Sequence, residues 1–333
     1  MDLSVVTFTL AFLVLVALAF DFINGMHDSA NSIATIVSTR VLKPQYAVLW
    51  AAFFNFAAFF VFETKVASTV GKGIISPELV TNAVVFGALM GAISWNLITW
   101  YFGIPSSSSH ALIGGIVGAG VAKAGTSAIV WSGLSKTLYG IILSPVTGFT
   151  LGILMMVLVS WLFLRANPTF SDGLFRKLQL VSSALYSLGH GSNDAQKTAG
   201  IISVLLLANN VDKEFTVHWQ VVFACYVVMG LGTMLGGWRI VHTMGSKITR
   251  LNPMQGACAE TAGAITLFLA TNYGVPVSTT HTITGSIVGV GAAKRFSAVR
   301  WNVATGIVYA WIITIPATAL LAALFYWLGS AFM

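Results

Sequence analysis

Apolar positions in this chain run in long continuous blocks. Stretches free of Asp, Glu, Lys and Arg cover 79–122, 137–164, 215–238, 261–293 and 301–333. Each exceeds the roughly 20 residues a helix needs to cross a bilayer. A membrane β-barrel is excluded, because its strands alternate apolar and polar residues. The pattern predicts a first apolar helix at 3–20, which lacks a basic flank and reads as retained rather than as a cleaved leader. A polar segment follows at 21–40, then a span at 46–62, a polar loop at 63–80 and a span at 81–101. A Gly-rich helix at 102–123 precedes a long helix at 136–164, interrupted at Pro145. The most hydrophilic connection, 165–177, divides the chain.

After that connection the order of elements returns. Residues 178–202 correspond to the first helix plus its polar segment, with Gly25 and Asp28 matching Gly191 and Asp194 at an offset of 166. Spans at 217–238 and 254–272, a Gly-rich helix and a last span at 301–328 complete the half, and Pro316 matches Pro145. The repeat is clearest in FGIPSSSSHALIGGIVGAGVAK (102–123) and YGVPVSTTHTITGSIVGVGAAK (273–294), identical at 11 of 22 positions at an offset of 171. An internal repeat of this kind makes two halves, 1–164 and 178–333, joined by a short cytoplasmic linker at 165–177.

Composition agrees with a membrane protein: 56% of the 333 residues are hydrophobic and 8% charged, against roughly 25% charged in a soluble domain. The net charge of +7 is spread between spans and forms no dense block, so nucleic acid is not an expected partner. Cys225 and Cys258 lie in apolar runs and suggest neither a disulfide framework nor a metal motif. Loop charge sets orientation, because basic loops prefer the cytoplasm. Residues 40–43, 165–177, 239–252 and 294–300 are basic and read as inside; 63–80, 123–135 and 203–216 read as outside. The sides alternate only if the halves face opposite ways, with about five crossings each and both termini outside. The expectation is therefore an all-α polytopic membrane protein with an inverted-topology repeat and broken, re-entrant helices at the midplane, a construction of secondary transporters.

Two polar motifs carry the candidate chemistry, NGMHDSAN at 24–31 and HGSNDAQK at 190–197. An ionisable group at a membrane helix centre costs at least about 2.5–3.5 kcal/mol, so it pairs or meets a cavity or ion. Asp28 and Asp194 either bind an ion or cap helix starts. Gly25 and Gly191 allow an unwound backbone before each Asp, and carbonyls with carboxylate and amide oxygens suit a hard cation such as Na⁺. The cation candidates are Asn24, Asp28, Asn31, Asn193 and Asp194. Lys197 replaces Asn31 in the second motif and either attracts an anion or pairs with an Asp.

Pro105 and Pro276 precede the hydroxyl clusters Ser106–Ser109 and Ser278–Thr280. Pro followed by Ser or Thr signals a helix start. A start at membrane depth leaves free N–H groups and a positive dipole end that can receive an anion; the alternative is ordinary N-capping. His110 and His281 close the clusters as structural residues or proton carriers, and His27, His190 and Glu260 have open roles. The glycines at 114, 115, 118, 120, 285, 289 and 291 suit close helix packing. The chain has no GxxxxGK[ST] motif, which disfavours an ATP-driven pump.

The segments NGMHDSANSIAT (24–35) and GHGSNDAQKTAGI (189–201), with PSSSSH and PVSTTH, resemble the paired signature of the PiT family of inorganic phosphate transporters, over essentially the whole chain. The resemblance implies uptake of inorganic phosphate by cation symport through alternating access, with phosphate held between the repeats. It carries Asp28, Asn31, Asp194, Ser107, Ser108, Ser109, Ser278, Thr279 and Thr280 onto the phosphate site, beside which Lys197 is also a candidate. The linker is 13 residues where many relatives have a large insertion, and His27 stands where many have Asn, so the coupling cation remains Na⁺ or H⁺. No other cofactor and no enzymatic activity are expected, and the site is the cell membrane. Transport of another tetrahedral oxyanion such as sulfate, a passive anion channel and an intramembrane hydrolase are the rival readings, and homo-oligomerisation is open.

Overall fold

The computed structural model describes residues 7–332. The first four residues of the helix expected at 3–20, and both chain ends, lie outside the described residues. Twelve α-helices make up the described chain: α1 (Phe8–Ser38), α2 (Pro44–Ala57), α3 (Lys65–Gly73), α4 (Asn82–Phe102), α5 (Ser108–Ala124), α6 (Trp131–Leu162), α7 (Pro168–Ala208), α8 (Trp219–Leu235), α9 (Trp238–His242), α10 (Pro253–Asn272), α11 (Thr279–Lys294) and α12 (Trp301–Ser330). Their order repeats as the sequence does: a long helix, a bent pair, a span, a short helix and a long Pro-containing helix.

Local chemistry explains most helix boundaries. Thr7 and Asn167 cap α1 and α7 by accepting from Leu10 N and Thr169 N. Asn252 and Gln255 form a reciprocal capping box at α10, with Pro253 at its first position. Gly103 and Gly274 turn the chain at φ of 67° and 62° ahead of the two hydroxyl clusters, a conformation open to glycine. Pro145 inside α6 leaves Ile141 O without its helical donor, and Ser144 Oγ donates to it at 3.3 Å.

Several boundaries differ from the expected ones. The apolar helix and polar segment of each half form one continuous helix, α1 and α7. Residues 168–177 of the expected linker are already helical, because Asn167 and Pro168 start α7 there. The polar loop 63–80 contains α3, which makes an 84° bend with the α2 segment. That helix start depends on α7: Gln196 Oε1 accepts from Val66 N at 3.0 Å while its Nε2 donates to Glu63 O at 2.9 Å. The basic loop 239–252 likewise contains all but the first residue of α9 and a π-helical turn, bent by 65° from α8.

Among the described residues five helices are long and apolar enough to cross a membrane, or seven if each bent pair is one span. The sequence reading expects about ten crossings. The shortfall has a physical origin: α11 is only 16 residues long, and α7 and α10 bury polar side chains that dilute their apolarity. α6 and α12 carry the most outward apolar surface, including Leu154, Trp161, Leu320 and Trp327, as a lipid-facing wall requires.

Packing interleaves the two parts of the chain. α5 packs between α4 and α12, and α11 between α10 and α6, so each short helix is sandwiched by one neighbour from each part. α1 packs along α8 and crosses α7. Glycines permit these approaches. A Cβ on Gly118 would lie 2.2 Å from Ala319 O, and one on Gly289 2.2 Å from Phe149 O. Gly25 and Gly191 serve the same purpose and do not unwind the backbone. Their added Cβ atoms would meet Met229 O at 2.2 Å and Asn55 O at 2.3 Å, and both helices run unbroken through the Asp motifs.

These contacts predict opposite outcomes for two glycine substitutions. Gly289→Val should destabilise the protein by at least about 1–3 kcal/mol through overpacking. Gly306→Ala meets no atom within 4 Å and should be neutral or stabilise by up to about 1 kcal/mol. Thermal unfolding in detergent measures both; equal effects would contradict the packing account.

Candidate functional site

The two hydroxyl-bearing helix starts meet inside the protein. Ser107 Oγ accepts from His110 N at 3.2 Å to cap α5, and Ser278 Oγ accepts from His281 N at 3.1 Å to cap α11. The capping reading is therefore correct for these two residues, and the remaining hydroxyls turn elsewhere. Ser109 Oγ donates to Val277 O at 3.2 Å, joining one start to the other. Behind this contact His110 and His281 meet edge to face with ring centroids 4.2 Å apart, and His281 stacks on Trp311 at 3.6 Å. The indole in turn donates to Pro105 O at 3.1 Å. Both imidazoles are thus packed into the junction of the two starts.

The Asp motifs face this junction from α1 and α7. Asn31 Nδ2 donates to Thr279 Oγ1 and Thr280 Oγ1 at 3.2 and 3.0 Å. Thr279 Oγ1 donates to Asp194 Oδ2 at 3.0 Å, and Thr280 Oγ1 lies 3.5 Å from Asp28 Oδ1. Lys197 Nζ donates to Asp194 Oδ1 at 2.6 Å, Ser109 Oγ at 2.5 Å and Val277 O at 2.7 Å. Its pairing with Asp194 is thereby observed, in a geometry that also keeps the ammonium against both helix starts. Ser108 Oγ is buried with no hydrogen-bond partner. All ten residues expected at an anion site, Asp28, Asn31, Ser107, Ser108, Ser109, Asp194, Lys197, Ser278, Thr279 and Thr280, lie together, none more than 4% exposed.

Histidines complete the cluster. His27 Nδ1 is 2.7 Å from Asp28 Oδ1, and its Nε2 is 3.0 Å from Thr99 Oγ1 on α4. His190 Nδ1 lies 3.1 Å from both Ser32 Oγ and Asn55 Oδ1. Its Nε2 is 3.1 Å from Asp194 Oδ2, within charge-contact range but off line for a hydrogen bond. Ligand atoms of Asp28, His190 and Asp194 fall within 4.8 Å of one another, close enough to share one cation.

The expected cation ligands divide. Asn24 Oδ1 is buried without a partner. Asn193 is fully engaged: Nδ2 donates to Thr271 Oγ1 and Val275 O at 3.2 and 3.3 Å, while Oδ1 accepts from Val277 N at 3.2 Å. It fixes the extended approach to α11. Since the helices are continuous, carbonyls next to Asp28 and Asp194 are used within α1 and α7, which leaves side-chain oxygens as the available ligands.

Two groups exceed the sequence reading, and a third, Glu260, is read there as pairing with a basic group or lying between the halves. Glu260 on α10 has no basic partner among the described residues. Instead it accepts from Thr35 Oγ1 at 2.5 Å, Ser182 Oγ at 2.5 Å and Gln179 Nε2 at 3.1 Å, tying α1, α7 and α10 together. Tyr186 OH donates to Thr279 O at 2.9 Å, and Asp21 is wholly buried on α1. Asp21 had a readable signal, since it stands seven residues before Asp28 and so on the same helix face. Nothing in local sequence identifies the contacts of Tyr186.

Such a site gathers hydroxyls, a lysine and two carboxylates between two helix starts, inside a helical wall with apolar outer surface. It defines a multi-pass membrane transporter rather than an enzyme. Residues 24–322 match the family model described as "Phosphate transporter family", and the chain belongs to that family. It is 65% identical over 324 residues to a Rhizobium meliloti protein named "Probable low-affinity inorganic phosphate transporter", covering 96% of this chain and 97% of that protein. A Bacillus subtilis protein of the same name is 46% identical over 319 residues, covering 95% and 96%. A solved structure titled "The sodium-dependent phosphate transporter" superposes with a TM-score of 0.90 at 25% identity, covering 98% of this chain and all of that one.

The Lys197–Asp194 pair should dominate local stability. Lys197→Met leaves a buried carboxylate unpaired and should cost about 3–5 kcal/mol. Adding Asp194→Asn should recover a large part of that loss. A double-mutant cycle by thermal unfolding tests this, and strictly additive effects would contradict the pairing.

Proposed function

We propose that the chain imports inorganic phosphate by cation symport, with the anion held between the starts of α5 and α11. The observation that carries the reading is the meeting of two hydroxyl-lined helix starts beside Lys197 and a pair of buried carboxylates. Helix N-termini, hydroxyls and an ammonium are phosphate-binding chemistry. Asp28 and Asp194 would repel the same anion unless a cation accompanied it. Carrying both together avoids moving an uncompensated charge through a low-dielectric region. The sodium-dependent title of the structural relative favours Na⁺ over a proton in this role.

In this reading Ser107–Ser109, Ser278–Thr280, Asn31 and Lys197 contact phosphate, and Asp28 and Asp194, with Asn24 nearby, hold the cation. The two parts, 1–164 and 178–333, act as inverted repeats in the cell membrane with both termini outside. Such repeats would bring the two helix starts to one point from opposite directions. Alternating access follows from rocking one interleaved set of helices against the other about that point.

Purified protein in proteoliposomes should accumulate radiolabelled phosphate when a Na⁺ gradient is imposed. Arsenate should compete and sulfate should not, since arsenate shares the size and protonation chemistry of phosphate. Asp28→Asn and Asp194→Asn should each lower uptake at least about 100-fold, as expected for removing a charged ligand worth roughly 3 kcal/mol, while the protein still elutes as one folded species. Uptake that never exceeds electrochemical equilibrium would instead indicate a channel, and normal uptake by both variants would refute the cation assignment.

A further inference from the structure

A groove on the outer side of α11 is left unused by the phosphate reading. α6 and α12 each pack on a short helix rather than on one another. Between them lies a cavity of about 340 Å³, floored by α11 at Gly285 and walled by Phe149 of α6 and by Trp301, Ala304, Val308 and Trp311 of α12. Val146 and Val308 on its two rims are 56% and 43% exposed, so the groove opens to the lipid and is not sealed. No charged group lines it. Of its two hydroxyls, Thr305 Oγ1 is spent on Trp301 O at 2.9 Å, and Thr284 Oγ1 is buried without a hydrogen-bond partner. A Cβ on Gly285 would lie 2.3 Å from Pro145 O, so the floor is bare where α11 meets the Pro145 segment of α6.

The two ends of the groove differ. Trp301 and Trp311 are ten residues apart, or about 15 Å along α12. At the inner end Trp311 stacks on His281 at 3.6 Å and donates to Pro105 O at 3.1 Å, one side chain from the junction of the two helix starts. At the outer end Trp301 stacks on Phe296 with centroids 4.5 Å apart and donates to its carbonyl at 3.1 Å. Lys294, Arg295 and Arg300 flank this stack along the chain, all exposed, and none makes an ion pair among the described residues. The sequence has no acidic residue after Glu260. An apolar slot at membrane depth, with tryptophan at its mouth and unopposed positive charge beside it, has the polarity of an anionic phospholipid, negative at the head and apolar along the chain.

The repeat shows that the general fold does not demand these residues. At the offset of 171, which also relates Pro145 to Pro316, Trp301 and Trp311 correspond to Val130 and Gly140. Arg295 and Arg300 correspond to Ala124 and Ile129. Lys294 alone keeps a basic counterpart, Lys123, whose ammonium donates to Leu79 O at 2.9 Å. Both tryptophans and both arginines therefore belong to one half of the chain.

We propose that this groove binds an anionic glycerophospholipid, its headgroup phosphate held by Arg295 and Arg300 and one acyl chain lying along α12 as far as Trp311. The chain then packs behind the tryptophan that ties the two helix starts together. In the loop-charge orientation, which belongs to the transport reading above, this lipid sits in the cytoplasmic leaflet; the binding itself does not rest on that reading.

Native mass spectrometry of the purified full chain, equilibrated in detergent with equal amounts of phosphatidylglycerol and phosphatidylcholine, tests the site. The wild type should retain about one phosphatidylglycerol in preference to phosphatidylcholine. Arg295→Gln combined with Arg300→Gln should weaken that retention about 30-fold, the effect of two charges beside an anionic headgroup. Val308→Trp fills the groove, leaves both arginines in place, and should weaken it at least about tenfold by excluding chain methylenes. Each variant alters exposed side chains and should fold as the wild type does, and phosphatidylglycerol should raise the unfolding temperature of the wild type but of neither variant. Equal retention of the two lipids by the wild type, or undiminished retention by either variant, overturns the proposal. So does a lipid-free wild-type dimer that Val308→Trp converts to monomer, which would make the groove the seat of a second copy. A wild type that retains the lipid yet never accumulates phosphate would sink the transport reading and leave the groove standing.

Discussion

Everything at the centre of this protein depends on holding charge where water is scarce. Lys197 and Asp194 sit 2.6 Å apart with the ammonium also donating to Ser109 and Val277. Those three bonds exhaust the ammonium's donors, so the charge is satisfied while its field still reaches both helix starts. Asp28 is held less completely, by His27 at 2.7 Å and a long contact from Thr280. The cluster thus combines one carboxylate paired with an ammonium and one whose contacts are a histidine and a hydroxyl.

Close helix packing makes this arrangement possible. α5 and α11 are short, and each is clamped between two longer helices by glycines that admit a neighbour's carbonyl. The clamping fixes where their free N–H groups point. Glu260 does comparable work at α10, binding α1 and α7 through Thr35, Gln179 and Ser182. Two helix ends can be placed precisely only if they are held from several sides, and here each short helix packs against both parts of the chain.

Most of the fold was legible because membrane helices declare themselves in long uncharged runs, and the doubled PSSSSH and PVSTTH segments identified the short helices and their starts. The ten residues expected at an anion site stood out because a polar group in such a run has few reasons to be there, and the structure brings them together. What failed was any inference that needed a neighbour. Gly25 and Gly191 look like hinges in sequence, and only the carbonyls of Met229 and Asn55 reveal them as crossing points. The helix at Lys65–Gly73 was hidden in a polar loop because its cap comes from Gln196, far along the chain. Asn193 reads as an ion ligand in sequence, and what no local pattern shows is that its amide bonds Thr271, Val275 and Val277.

The central claim is that one anion lies between the two helix starts. Arsenate bound in place of phosphate offers the most direct measurement, because arsenic can be located by anomalous scattering. The account predicts a single arsenic peak within hydrogen-bonding reach of hydroxyls from both Ser107–Ser109 and Ser278–Thr280. A peak held by only one of the two starts, or located away from Lys197, would contradict it.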